Sequence, residues 1–138
     1  MIFGEISAEE RREIYKDFAW INEKYNVVQD SAAQRISAHL LHDKVIIAYA
    51  SGLTHGKWFT VTDLWTHKHH RRKGIATTLL QGLLGKAKEG GCAHAHVRTQ
   101  GKKNERFYEG FGFEELGRLH AFGGQPGFDA VFYQMELR

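Results

Sequence analysis

Between Trp58 and Arg98 the hydrophobic period of the chain changes twice, and no other feature constrains its fold as strongly. Over "WFTVTDLWT" β-branched and aromatic residues alternate, which suits the pleated, half-buried surface of a strand. From Ile75 onward Leu79, Leu80, Leu83 and Leu84 recur at helical spacing, Lys86 and Lys88 occupy the last turn, and Gly90-Gly91 supplies the stop. "CAHAHV" then puts Ala93, Ala95 and Val97 on one face and His94, His96 and Arg98 on the other, so a strand follows.

The flanks extend this pattern. Ser7, with Glu10 three residues on, forms a capping box, and Ile14, Phe18 and Ile21 share one face of a helix reaching about Tyr25, after a weak N-terminal strand. Arg35 to His42 and Val45 to Leu53 are apolar runs separated by "HDK", which predicts a hairpin. A short helix over about Lys103 to Glu109 precedes two final strands, Phe113 to Leu119 and Phe128 to Leu137, joined by the glycine-rich "FGGQPG". Helices interleaved with a largely antiparallel sheet predict an α+β fold rather than a doubly wound one. At 138 residues, with no repeat and a single proline, Pro126, the expectation is one domain, 1–138, with no linker.

Composition excludes several classes. Apolar content of 42% and charged content of 25% are ordinary for a globular chain, and no apolar run approaches the roughly 20 residues needed to cross a bilayer. No membrane partner is expected. The N-terminus turns acidic too early for a secretory signal, and the single cysteine, Cys92, cannot form an internal disulfide, so a reducing cytoplasm is the expected location.

The net charge of +3 is mild, but its distribution is uneven. Lys68 to Lys73 holds four of the 19 lysines and arginines and two of the nine histidines, without an acid to offset them. Taken alone, such a run is a solvated loop. Here it lies between a strand and a helix, beside Gly74. The first amides of a helix lack intrahelical partners and the dipole adds partial positive charge, so the turn is an anion-binding device for a phosphate or pyrophosphate. Gly74 allows close backbone approach and Ala76 keeps the next turn narrow, while Arg71, Arg72 and Lys73 add full charges. Neither the G-x-x-x-x-G-K-S/T nor the G-x-G-x-x-G spacing is present, which disfavours nucleotide and dinucleotide sites.

"RRKGIA" resembles the signature of the GNAT superfamily of acetyl-CoA-dependent N-acetyltransferases, Gln/Arg-x-x-Gly-x-Gly/Ala, through Arg71, Gly74 and Ala76. "NERFYEGFGF", Asn104 to Phe113, is similar to the family's second motif, and "LWTHKHHRRKGIA" keeps the family's distance from central strand to signature. The resemblance implies a three-layer fold: a mixed, mostly antiparallel sheet with two splayed parallel strands, Trp58 to Thr66 and Cys92 to Arg98, and flanking helices.

It also implies a chemistry, with acetyl-CoA as co-substrate and no metal. Backbone amides from Arg72 through Gly74, Ile75 and Ala76 to Thr77 would hold the pyrophosphate, with Arg71, Arg72 and Lys73 around its outer phosphates. Leu64, Trp65 and Thr66 would pair with the pantetheine arm as an added strand does, helped by Asn104 and bordered by Phe107. A backbone amide near Thr66 would polarise the carbonyl, and Tyr108 would protonate the departing sulfur; the competing reading of Tyr108 is a core aromatic beside Phe107. The expected acceptor is a small-molecule primary amine attacking the thioester directly.

The general base departs from the family pattern. Thr60 and Thr62 stand where relatives often carry Glu, Asp or His, and a hydroxyl is no useful base at neutral pH. Asp63 is the carboxylate on the strand, but simple alternation points it with Val61 and Trp65, away from the threonines; a bulge would redirect it. A structural or water-relay role for Asp63 stays open. The histidines His67, His69, His70, His94 and His96 complete no familiar zinc spacing and are read as solvated or phosphate-facing.

The N-terminal helix and its following loop, with Trp20, Tyr25 and the acids Glu9, Glu10, Glu13, Asp17 and Glu23, would wall the acceptor pocket. Alternatives are a protein lysine or N-terminal acetyltransferase, and a non-catalytic module whose "HKHHRRK" run contacts phosphates; nucleic acid as a partner is disfavoured by the mild net charge. Homodimerisation through the C-terminal strand is a further expectation from the family.

Overall fold

A computed structural model describes residues 1–25 and 33–138. The chain divides into two compact units, Met1–Ala32 and Ala33–Arg138.

The first unit holds helix α1 (Ala8–Lys24). Its start is fixed by the reciprocal cap: the Glu10 N–H donates to Ser7 Oγ at 3.1 Å and the Ser7 N–H donates to the Glu10 carboxylate at 2.7 Å. Two donors that helix geometry orphans are thereby satisfied. The weak strand expected before it does not form: residues 1–7 have no strand partner among the described residues. The short apolar run there is broken by Gly4 at φ +152°. The loop after α1, expected to wall the acceptor pocket, lies largely outside the described residues.

The second unit contains β1 (Arg35–His42), β2 (Val45–His55), β3 (Trp58–Thr66), α2 (Ile75–Glu89), β4 (His94–Gln100), α3 (Lys102–Phe111), β5 (Glu114–Leu119) and β6 (Ala130–Glu136). The six strands form one sheet in the order β1-β2-β3-β4-β6-β5, in which β3 and β4 are parallel and every other neighbouring pair is antiparallel. This is the α+β fold with a mixed, mostly antiparallel sheet. The C-terminal strand β6 is interior, between β4 and β5, so it has no free edge for pairing with another strand.

Register sorts the two faces. Val61 pairs with Val97 and Val97 with Tyr133, so these three share a face with Phe59, which pairs with Ala95. The apolar side of α2, Leu79, Leu80, Leu83 and Leu84, is buried in one cluster with them. Helix α3 joins the same face through Tyr108, whose ring stacks at 6.2 Å from that of Tyr133. The opposite face carries Thr60, His96 and Arg98, and on β1 and β2 Arg35, Ser37, Tyr49 and Ser51.

Candidate functional site

Two irregularities in the sheet make the site. The first is the end of parallel pairing: β3 and β4 pair from Trp58–His94 to Val61–Val97 and no further. Beyond that point β3 stays with β2 and β4 with β6, so the strands diverge. A cleft of about 640 Å³ opens between them, lined by both strands, the turn before α2 and the first turns of α3.

The second irregularity is a bulge. Ser51 faces Asp63 and Gly52 faces Val61, which leaves Thr62 as an extra residue in β3. Side-chain parity inverts across it. Alternation alone would send Asp63 to the helix-covered face with Val61; instead it lies with Thr60 on the polar face and lines the cleft. Asp63 accepts a hydrogen bond from the Thr62 hydroxyl at 2.8 Å. The Arg35 guanidinium reaches the same hydroxyl at 3.5 Å and the fully buried Ser51 at 2.8 Å.

The cleft-side edge of β3 is read from one bond. His67 donates its N–H to Ile47 on β2 at 2.7 Å, so strand alternation turns the N–H and C=O groups of Leu64 and Thr66 the other way, toward the cleft. The Thr66 carbonyl accepts from Arg71 Nε at 3.0 Å. Arg71 therefore braces the turn against the strand end, in addition to bringing charge. The Thr66 hydroxyl is buried and has no partner among the described residues.

The basic turn winds tightly. A 3₁₀ turn over Lys68–His70 is followed by Arg72 at φ +63° and Gly74 at φ +76°. What glycine relieves at 74 is the cost of that angle and not a close contact, since an added Cβ would meet nothing within 4 Å. The first intrahelical bond of α2 runs from the Thr78 N–H to the Gly74 carbonyl, leaving the amides of Ile75, Ala76 and Thr77 unclaimed by the helix. These residues, with His70, Arg71, Arg72 and Gly74, line one end of the cleft. Lys73 does not line it.

On the opposite wall α3 contributes Asn104, Phe107 and Tyr108. Asn104 Nδ2 donates to the Gln100 carbonyl at 2.8 Å, which fixes the amide and leaves Oδ1 to accept. Tyr108 is 7% exposed and packs edge-on to Phe107 and Phe113. Its hydroxyl has no hydrogen-bond partner among the described residues, and burial pushes its pKa up to about 12. Among the sequence-predicted residues, Asp63, Leu64, Trp65 and Thr66 form the third wall, so the cleft gathers all of them except Lys73.

Sequence alone does not single out Arg98 or Lys103 for the site, and it reads His96 as solvated or phosphate-facing, whereas the structure half-buries that ring against Thr60. Arg98 lines the cleft from β4, its guanidinium carbon 5.2 Å from the centre of the Phe122 ring. Lys103 lines it from α3. His96 Nε2 lies 2.6 Å from the Thr60 hydroxyl, just below the point of divergence, and burial followed by the charge of His55 pushes its pKa below the usual histidine value. The signal for Arg98 and His96 is their shared face in "CAHAHVR", Cys92 to Arg98. Its placement against Thr60 depends on pairing with a strand more than 30 residues away in sequence. Among the described residues no three His, Cys, Asp or Glu side chains converge as metal ligands, and no helix is long and apolar enough to cross a membrane.

Comparison with known proteins adds three findings. A family model, the acetyltransferase (GNAT) family, matches residues 4–113. No curated protein matches significantly in sequence. Among solved structures, an acetyltransferase from Bacillus cereus superposes with a TM-score of 0.80 at 19% identity, covering 99% of this chain and 98% of that one. A ribosomal-protein alanine N-acetyltransferase from Escherichia coli gives 0.68 at 16% identity, covering 83% and 76%. An aminoglycoside 6′-N-acetyltransferase complexed with coenzyme A gives 0.66 at 12%, covering 100% and 98%. At these identities the likeness is one of fold.

Proposed function

The chain belongs to the acetyltransferase (GNAT) family, and from that premise we propose that it moves an acetyl group from acetyl-CoA to the primary amine of a small molecule by direct attack on the thioester. The observation that carries this reading is the divergence of β3 and β4 past Val61 and Val97, with unclaimed amides at one end and the Tyr108 hydroxyl on the wall.

The residues present fit acetyl-CoA. Amides of Ile75, Ala76 and Thr77 and the charges of Arg71 and Arg72 suit the pyrophosphate, and the cleft-side edge of β3 at Leu64 and Thr66 suits the amide-bearing pantetheine arm, with Asn104 Oδ1 as a further acceptor. When bound, acetyl-CoA supplies an activated acetyl carbonyl. The chain's own residues hold and move protons around it. The Thr66 N–H polarises the carbonyl oxygen. Asp63, turned onto the polar face by the bulge, removes the ammonium proton. Tyr108, still protonated because burial holds its pKa near about 12, donates to the departing sulfur.

A small acceptor is supported by the aminoglycoside acetyltransferase, whose likeness runs over nearly the whole of both chains. The family match, which begins at residue 4 and crosses both compact units, supports a single functional domain. The single cysteine, Cys92, is buried and free, which suits a cytoplasmic enzyme.

The test is direct. Acetyl-CoA should raise the melting temperature saturably, and an amine panel should include acceptors that release thiol from it. A melting temperature indifferent to acetyl-CoA, together with steeply salt-dependent oligonucleotide binding, would favour the phosphate-binding module instead.

A further inference from the structure

Positive charge reaches the cleft from two sides. Arg71 and Arg72 stand at the N-terminus of α2, which packs on the apolar face of the sheet. Arg98 belongs to the other face: it pairs with Phe132, one position past Val97, whose side is that of Tyr133 and the helices. There its guanidinium carbon lies over the ring of Phe122, in the β5–β6 connection, 5.2 Å from the ring centre.

Stacking of this kind leaves the in-plane N–H donors of a guanidinium free. No carboxylate among the described residues pairs with Arg98. The group is thus an unneutralised fork at the cleft wall, suited to a planar or tetrahedral anion.

Asp63 is its counterpart. It lies on the same face, on the strand that diverges from β4, and lines the same cleft. One strand therefore presents an anion and the other a cation across the opening. A bare amine would bring its ammonium toward Asp63 and leave Arg98 repelling it; a zwitterion complements both charges.

We propose that the acceptor is a primary amine that also carries an anionic group, a carboxylate or a phosphomonoester, with Arg98 binding the anion and Asp63 facing the amine. This rests on the acetyltransferase reading above.

The experiment measures thiol release from acetyl-CoA by the full chain with matched amines: amino acids against their carboxamides and decarboxylated amines, and aminoalkyl phosphates against the parent amino alcohols. The anionic member of a pair is expected to show a kcat/KM at least about tenfold higher. The carboxylate and phosphate arms identify which anion. Arg98→Met should narrow that preference to within about twofold, and Arg98→Lys, which keeps the charge, should retain part of it.

Preference for the uncharged members would overturn the proposal. So would discrimination that survives Arg98→Met, or an Arg98→Met effect confined to acetyl-CoA affinity. The same holds if no anionic amine is acetylated or, by calorimetry on CoA-saturated protein, bound. Failure of the wild-type chain to bind acetyl-CoA would instead remove the acetyltransferase reading itself.

Discussion

Two side chains on opposite walls of the cleft divide the proton traffic, and each has its own expected signature. Tyr108 keeps its proton because burial raises the cost of the phenolate; its pKa near about 12 means that no alkaline fall in rate should arise from it below about pH 10. Tyr108→Phe removes the donor while keeping the ring contacts with Phe107, Phe113 and Tyr133, so kcat should fall about 100-fold with the KM for acetyl-CoA within about twofold. A variant as fast as wild type on every active amine would return Tyr108 to the role of a core aromatic. Asp63→Asn keeps the acceptor oxygen for the Thr62 hydroxyl but cannot take a proton, and kcat/KM for the amine should fall about 100-fold near neutral pH. Raising the pH should restore much of that loss, because the free-amine fraction of the acceptor grows; a variant deficit constant across pH would show that Asp63 only positions its neighbours.

At the scale of elements, the cleft depends on two glycines with different physical demands. Gly52 has an ordinary backbone angle, but a Cβ there would overlap the Phe59 ring and the Thr60 carbonyl at the bulge. Gly52→Ala should lower the melting temperature by about 5 to 10 °C, because a backbone carbonyl cannot step aside as a flexible side chain can. Gly74 has room for a methyl group but sits at φ +76°, so Gly74→Ala should weaken acetyl-CoA binding about tenfold in a calorimetric titration by tilting the amides of Ile75 to Thr77. The two cases mark where sequence was legible. The order from α1 to β6, the helix α2 and the turn at its start follow from local periodicity and capping, and were readable from Ser7, Ile75 and Gly90. The inverted parity at Asp63 was not, because the bulge lies where Gly52 of β2 packs against Phe59 and Thr60 of β3, a cross-strand fit that "WFTVTDLWT" read alone does not display. Nor was the interior place of β6, since an apolar run looks the same at an edge and in the middle of a sheet.

For the whole molecule, the helix that carries Tyr108 is tied to the far end of the sheet by one cation. Arg118 on β5 donates to Glu105 of α3 at 2.9 Å and to Asp129, just before β6, at 2.9 Å, and also bonds Glu115. Glu105 and Asp129 are buried, so removing the guanidinium takes away the closest cation of each and leaves Glu105 with the exposed Lys102 at 3.6 Å and Asp129 with the exposed His120 at 3.3 Å. The Ala121 amide and then Arg118 hold Asp129 below its usual range, and Arg118 does the same for Glu115. Lowered carboxylate pKa values give stability that is present above their unfolded values near about 4 and is lost as pH falls through the folded ones. Arg118→Met should therefore melt well below wild type at neutral pH, with the gap narrowing as pH falls from about 4 through the lowered folded values of Asp129 and Glu115, below which these carboxylates are neutral in both proteins. Glu105→Gln on top of Arg118→Met should recover part of the loss at neutral pH by deleting one of the stranded charges. A gap that is unchanged from neutral to acid pH would show that Arg118 acts through the packing of its stem alone, and that α3 is held in place by Phe107, Tyr108 and Phe111 without help from charge.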